Sequence, residues 1–332
     1  MTDVVGNLHP EFRSFWHPVA WSDEVVRSAL FPTTLLGEPL VIARDEFGAP
    51  VAFADACPHR GAPISMGRSE GDEFVCAFHG WRFGLDGVAT CIPSLGPAAS
   101  LPGRARLTPV AVCEVHGLVW VALEAPRAEI PAWSDGANPA YGVLRPLAHT
   151  SEALATYQTE NLLDASHFPF LHGALAGRNP EMAEIETVDQ QQLGFATRLR
   201  KLTDDGEGVE GWLRYACAAP FTVMLRSEEP DGRMRTSFFQ AIQPIDERRT
   251  RMFFMIRVPY TEDAQLAATL PIEQQILNED HVMNSALRRA GMHLSGGPDL
   301  HVRSDRNGVL YRRMLRNVFD TSAPSGPVGS ER

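Results

Sequence analysis

From Pro39 to about Leu123 the apolar residues come in short, β-branched runs divided by turn signals. These are PLVIAR (39 to 44), PVAFAD (50 to 55), FVCAF (74 to 78), PVAVCEV (109 to 115) and GLVWVAL (117 to 123). Runs of this length and composition suit pleated, half-buried strands, so a small antiparallel β domain is predicted. A Pro-rich stretch, EAPRAEIPAWSDGANPAYG (124 to 142), reads as a connection. Longer runs then predict strands at ALATY (153 to 157), GFATRLRKL (194 to 202), EGWLRYAC (210 to 217), FTVMLRS (221 to 227), RTSFFQAIQP (235 to 244) and TRMFFMIRVPY (250 to 260). Helices are predicted at about 159 to 168 and 272 to 290, the latter opening at Pro271 and closing at Gly291. The expected class is α+β: residues 1–125 hold an N-terminal segment and a β domain with its core at about 36–123, and residues 126–320 hold a second domain on an antiparallel sheet. The small, polar, Pro/Gly-rich tail over 321–332 is expected to be disordered.

Composition narrows the function. The chain has 332 residues, 44% of them hydrophobic, which is ample for a buried core. Thirty basic against 41 acidic residues give a net charge of -11, which argues against nucleic acid as a partner, because that affinity comes largely from neutralising phosphates. The start, MTDVVGNLHPEFRSFW, lacks the basic and apolar regions of a secretory signal. No run approaches the eighteen or so apolar residues that span a bilayer. A cytoplasmic protein without membrane association is expected. Five cysteines, an odd number without framework spacing, then point to metal ligation or simple burial.

Cys57, His59, Cys76 and His79 follow the pattern C-x-H, sixteen residues, then C-x-x-H, each half opening a turn after a predicted strand. Zinc accepts two cysteines and two histidines, but its usual spacing keeps like ligands together. A Rieske centre carries two cysteines on one iron and two histidines on the other, so two similar loops can grip it from both sides. The alternation favours the second reading. CPHRG (57 to 61) and CAFHGW (76 to 81) resemble the cluster loops of the Rieske family, and Gly61 and Gly80 would let each backbone turn beside the cluster. Respiratory members of that family link their loops by a disulfide, whereas Ala62 and Phe78 occupy the matching positions here, and Trp81 stands where those proteins carry a hydroxyl residue. A potential in the lower part of the roughly −150 to +300 mV Rieske range is expected.

A second constellation lies in TENLLDASHFPFLHGAL (159 to 175). Asn161, Asp164 and His167 stand at i, i+3 steps, which predicts one shared helix face. His172 is five residues beyond His167, so a regular helix would aim the imidazoles about 140° apart. Pro169 is expected to break the helix and swing His172 back. Two histidines and one carboxylate form the facial triad of non-haem Fe(II) oxygenases. In PIEQQILNEDHVMNSALRRAG (271 to 291), Asp280 interrupts an apolar stripe of Ile272, Ile276, Met283 and Leu287, and a buried carboxylate calls for a cation. Glu279 is expected to lie off that buried face.

The pattern N-x-x-D-x-x-H-x4-H following a C-x-H, C-x-x-H domain is similar to that of Rieske non-haem iron oxygenases and spans nearly the whole chain. The resemblance implies a helix-grip, START-like second domain and two cofactors. One is a [2Fe-2S] cluster on Cys57, His59, Cys76 and His79; the other is a mononuclear Fe(II) on His167, His172 and Asp280. It implies Asp164, with Asn161 beside it, as a bridging carboxylate between the Rieske histidine of one subunit and an iron-ligand histidine of the next, hence a homotrimer. It also implies a separate ferredoxin or flavin reductase as electron donor, since no G-x-G-x-x-G fingerprint opens a strand-to-helix unit here. The chain resembles the vanillate and dicamba O-demethylase group, which implies O₂-dependent hydroxylation or oxidative demethylation of a small aromatic substrate. Cis-dihydroxylation is the alternative within the class, and an electron-transfer protein without oxygenase activity the alternative outside it.

Other residues carry plainer expectations. Cys91, Cys113 and Cys217 are expected to be buried, and His116, His149, His293 and His301 show no partner pattern. Arg60 and Arg82 flank the cluster loops, where they could meet an acidic donor. Met224, Phe238, Phe239, Phe253 and Met255 read as sheet core rather than pocket.

Overall fold

The β-branched runs of the first third pair as antiparallel ladders. Phe31–Leu35, Glu38–Arg44 and Pro50–Ala54 form one three-stranded sheet, and Arg68–Glu70, Glu73–Val75, Arg82–Gly84 and Ala89–Cys91 form a four-stranded one. A third sheet joins Ala111–Val115, Leu118–Ala122 and His17–Trp21. This computed structural model describes residues 3–147, 150–173, 185–203, 207–287 and 289–320. The tail over 321–332 and His149 lie outside them.

The second domain is built on an antiparallel meander. Its strand order is Gly142–Leu144, Thr250–Val258, Met234–Pro244, Thr222–Glu228, Val209–Ala218, Gly194–Leu202 and Ile185–Gln191, with Thr150–Ser151 also pairing with Thr250–Val258. Helix α1 (Ala155–Leu163) packs on the central strands, α4 (Arg306–Asp320) on Gly194–Leu202, and α3 (Asp263–Ala286) against α1 and Gly142–Leu144. The α+β class is observed.

Alternation along the strands gives the sheet two different faces. Phe238, Gln240, Met252 and Phe254 line a cavity on the helix side. Their neighbours Phe239, Phe253 and Met255 pack on the other side against Trp21, Trp120 and Trp133. So Phe239, Phe253 and Met255 are core as expected, whereas Phe238 is a cavity wall. Cys217 is buried, but Cys91 and Cys113 are only partly so.

Three expectations about elements are corrected. ALATY is not a strand: α1 starts at Ala155, and Ala155, Thr156, Tyr157, Gln158 and Thr159 are all buried. A helix buried on every side shows no helical period, and its short apolar run imitates a strand. α3 begins eight residues ahead of Pro271, which sits inside the helix with its ring exposed, and it ends before Gly291. Its inward face is also rotated. Glu273, Leu277, Asp280 and Asn284 turn inward, while Ile272, Met283 and Leu287 are 44%, 47% and 43% exposed. α4 is not among the predicted helices, although Leu310, Tyr311, Met314, Leu315 and Val318 recur at helical spacing and are all buried.

The two ends of the chain hold α1 in place. Val4–Val5 pairs with Met292–His293, and the Asn7 Oδ1 accepts the first free N–H of α1, from Ala155, at 2.8 Å. Arg312 of α4, 5% exposed, donates to both Glu160 oxygens at 2.7 Å and to Asp299 at 2.9 Å. Removing one partner of such a network strands the others without charge compensation. Arg312→Met is expected to lose about 3–5 kcal/mol of stability, measured by urea denaturation; a loss below about 1 kcal/mol would contradict this account.

Candidate active site

The two cluster-type loops adopt one conformation. Cys57 N–H donates to Ala62 O at 2.8 Å and Gly61 N–H to Cys57 O at 2.8 Å; in the second loop Cys76 N–H donates to Trp81 O at 2.9 Å and Gly80 N–H to Cys76 O at 3.0 Å. Each turn closes through a glycine at positive φ, 71° at Gly61 and 67° at Gly80, where a side chain would be strained. The repeat of geometry places the two thiols side by side in the core of the β domain, beneath two exposed imidazoles whose ring centroids are 4.5 Å apart. Trp81 stacks on His59 at 4.8 Å. Burial first, opposed by the His59 backbone N–H and reinforced by the neighbouring Cys76, pushes the Cys57 thiol up to about 11. A metal that stabilises thiolate is the partner that such a pair of buried thiols suits. Arg82 is engaged by Glu70 and Glu73 at 2.6 and 2.9 Å, while Arg60 is exposed.

The second constellation forms by a different route from the one the spacing predicts. α1 stops at Leu163, and Asp164 is already extended, with φ −94° and ψ 116°. Asn161, Asp164 and His167 therefore do not share one regular helix face. The chain breaks at Asp164, ahead of Pro169, which serves instead at the start of a new turn, α2 (Phe168–Leu171). His167 and His172 cap the two ends of that turn, with ring centroids 5.1 Å apart.

Each imidazole is oriented by a carboxylate on its Nδ1. Asp164 Oδ2 lies 3.3 Å from His167 Nδ1, and Glu279 Oε2 lies 2.9 Å from His172 Nδ1. This leaves both Nε2 atoms buried and without a hydrogen-bond partner among the described residues. They lie 3.5 and 3.4 Å from Asp280 Oδ1, and the three donor atoms fall within 4.8 Å of one another. Ligands about 2.1 Å from one ion sit at such separations. Asn161 Nδ2 donates to the same Asp280 oxygen at 3.2 Å. Burial alone would lower the His167 pKa, but Asp164 and Asp280 outweigh it and raise it to about 9. His172 is raised in the same way by Asp280 and Glu279 against its burial, and Asp280 is lowered by the two imidazoles despite its own burial. The cluster attracts positive charge, and a divalent cation competes with protons for the same nitrogens. The residues fit an iron of the facial-triad kind.

The site opens into a cavity of about 290 Å³ walled by Leu213, Leu225, Phe238, Met252 and Phe254. On the other side Asp164 and His167 line an open depression together with Phe170 and His301.

Residues 15–102 match the Rieske [2Fe-2S] domain, and residues 152–321, about half of the chain, match the vanillate O-demethylase oxygenase C-terminal domain. The chain is a Rieske non-haem iron oxygenase. It is 32% identical to methylxanthine N3-demethylase NdmB of Pseudomonas putida, over 92% of this chain and 89% of that one. It is 26% identical to methylxanthine N1-demethylase NdmA of the same organism, over 95% and 91%. The solved structure of NdmB from P. putida CBB5 superposes with a TM-score of 0.80 at 26% identity, covering 93% of this chain and 92% of that one. Dicamba monooxygenase shares the fold, with a TM-score of 0.78 at 20% identity over 94% and 99%. The oxygenase is thus an oxidoreductase of the demethylase and monooxygenase type, whose family uses a [2Fe-2S] cluster and a mononuclear iron.

Glu279 is the site residue that the sequence reading sets aside. The true phase of α3 turns it toward His172, and the signal would have been two adjacent carboxylates serving two ligand shells. Glu279→Ala is expected to weaken iron binding about 10–100-fold while leaving cluster absorbance intact, read by iron titration of the metal-depleted oxygenase. Cys57→Ser is expected to abolish the visible cluster absorbance; an unchanged spectrum would remove Cys57 from the cluster site.

Proposed function

We propose that Cys57, His59, Cys76 and His79 hold the cluster, that His167, His172 and Asp280 hold the iron, and that this terminal oxygenase hydroxylates or oxidatively demethylates a small aromatic substrate. The observation that carries the reading is the convergence of two buried, partnerless Nε2 atoms on the inward carboxylate of Asp280, at the edge of a mostly apolar cavity. When bound, the cluster supplies single electrons and the iron supplies the activation of dioxygen. The protein's own part is orientation and exclusion. Asp164 and Glu279 hold protons on the two Nδ1 atoms, which leaves the Nε2 lone pairs for the metal. Leu213, Phe238 and Phe254 exclude water from the substrate's side of the centre.

Asp164 also faces outward. Its side chain is 34% exposed while it touches His167, and the His59 and His79 rings are exposed on the β domain. These features support electron transfer between subunits: an exposed imidazole of one chain meets Asp164 of the next in a homotrimer. A separate ferredoxin or flavin reductase, in the cytoplasm, is the electron donor in this reading. No described helix is long and apolar enough to cross a membrane. Product analysis with labelled dioxygen separates monooxygenation from cis-dihydroxylation, since a diol keeps both atoms.

Asp164→Asn is expected to keep both metal centres yet nearly abolish turnover, measured as product formed per iron; near-normal activity would defeat the bridging role. Mixed trimers of a His59→Ala chain and a His167→Ala chain are expected to regain activity, and their complete inactivity would place transfer within one chain.

A further inference from the structure

One end of the cavity is polar, and the strands build it. Alternation sends Leu225, Ser227, Thr236 and Phe238 to the helix side of the sheet, where all four line the cavity. Ser227 and Thr236 stand directly opposite each other on neighbouring strands, and so do Leu225 and Phe238, two residues further along. Gln240, two residues beyond Phe238, bonds the Gln158 carbonyl of α1. The floor therefore passes from a hydroxyl pair, over an apolar pair about 7 Å away, to the helix that leads into the iron ligands. Neither hydroxyl is hydrogen-bonded among the described residues, and both residues are half-buried with accessible oxygens.

Two bulges finish this end. Lys201 and Leu202 pair with Gly211 and Val209, which makes Glu210 an extra residue; Ser227 and Glu228 pair with Thr236 and Met234, which makes Arg235 another. Bulges re-aim side chains, and these two meet. Glu210 takes Arg235 at 2.7 Å and Lys201 at 3.2 Å, while Glu229 holds Arg235 at 2.6 Å. Arg235 is thereby largely engaged. Lys201, which lines the cavity, spends one of its three N–H groups on Glu210 and no other among the described residues. A hydroxyl bonds donors or acceptors, but an ammonium only donates, so the group that satisfies all three side chains is an acceptor oxygen.

Resting on the oxygenase reading above, we propose that this end of the cavity is a substrate subsite that grips an acceptor oxygen, of a carbonyl or a carboxylate, through the Ser227 and Thr236 hydroxyls with Lys201 beside them. The aromatic ring lies on Leu225 and Phe238, and the substituent opposite the oxygen is the one presented to the iron ligands. A few placed polar groups in an apolar pocket fix orientation in this way. Ser227 and Thr236 thus decide which substituent of the substrate reacts.

The test is equilibrium binding to the anaerobic holoenzyme of three shape-matched probes in each ring isomer: methoxyacetophenone, methoxybenzoate and isopropenylanisole, which lacks the acceptor. In the best isomer at least one acceptor probe is expected to bind as tightly as isopropenylanisole or more so, although the latter is the more hydrophobic. Ser227→Ala together with Thr236→Val should lower that acceptor preference at least about fivefold, the loss of two hydrogen bonds. Thr236→Ser alone, which keeps the hydroxyl, should hold it within about twofold. The probe whose preference falls identifies the oxygen as carbonyl or carboxylate. Tighter binding of isopropenylanisole than of both acceptor probes in every isomer, measured on the unmodified protein, would overturn the proposal whether or not the variants fold. So would a preference unchanged in the double variant. Cluster absorbance and iron content are measured on the same samples. Missing metal centres would sink the oxygenase reading itself, whereas intact centres without an acceptor preference would sink this inference alone.

Discussion

The catalytic half depends on one constraint: two imidazoles and a carboxylate are buried so that their free lone pairs meet. Asp164 and Glu279 each occupy an Nδ1, so neither ring can turn its other nitrogen elsewhere without breaking a short contact. Asp280 supplies the third donor from a different helix, so the centre exists only when α1, α2 and α3 are docked together. Burying three such groups would be costly in an isolated apolar core, and a cation is the partner that turns the cost into binding energy.

The fold serves this constraint through its asymmetric sheet. One face packs on the β domain through a layer of tryptophan and phenylalanine, while the other leaves room under the helices. Adjacent residues such as Phe238 and Phe239 or Phe253 and Phe254 therefore do opposite work, one bounding the ligand space and the other locking the domains.

How much could be read in advance followed from how local each signal is. The cluster loops were legible because their chemistry is set by spacing within six residues and by a glycine in each turn. That His167, His172 and Asp280 come together was legible from residue type, but the path was not: α1 ends at Leu163, with Asp164 already extended, well ahead of Pro169. The roles of Glu279 and Phe238 depended on helix phase and strand facing, which a single sequence fixes weakly when a buried carboxylate replaces an apolar residue on the stripe. Only the second half of α1 was legible, because the five consecutive buried residues that open it, Ala155 to Thr159, show no helical period.

The pairing of Val4–Val5 with Met292–His293 and the cap that Asn7 gives α1 make the first few residues part of the catalytic architecture. Asn7 also donates to Asp246 O at 3.0 Å, in the turn between two sheet strands, so a single side chain tethers α1, the helix that carries Asn161, to the sheet behind it. A substitution at Asn7 would thus act on the reaction centre from afar, through the helix it caps and the sheet turn it holds.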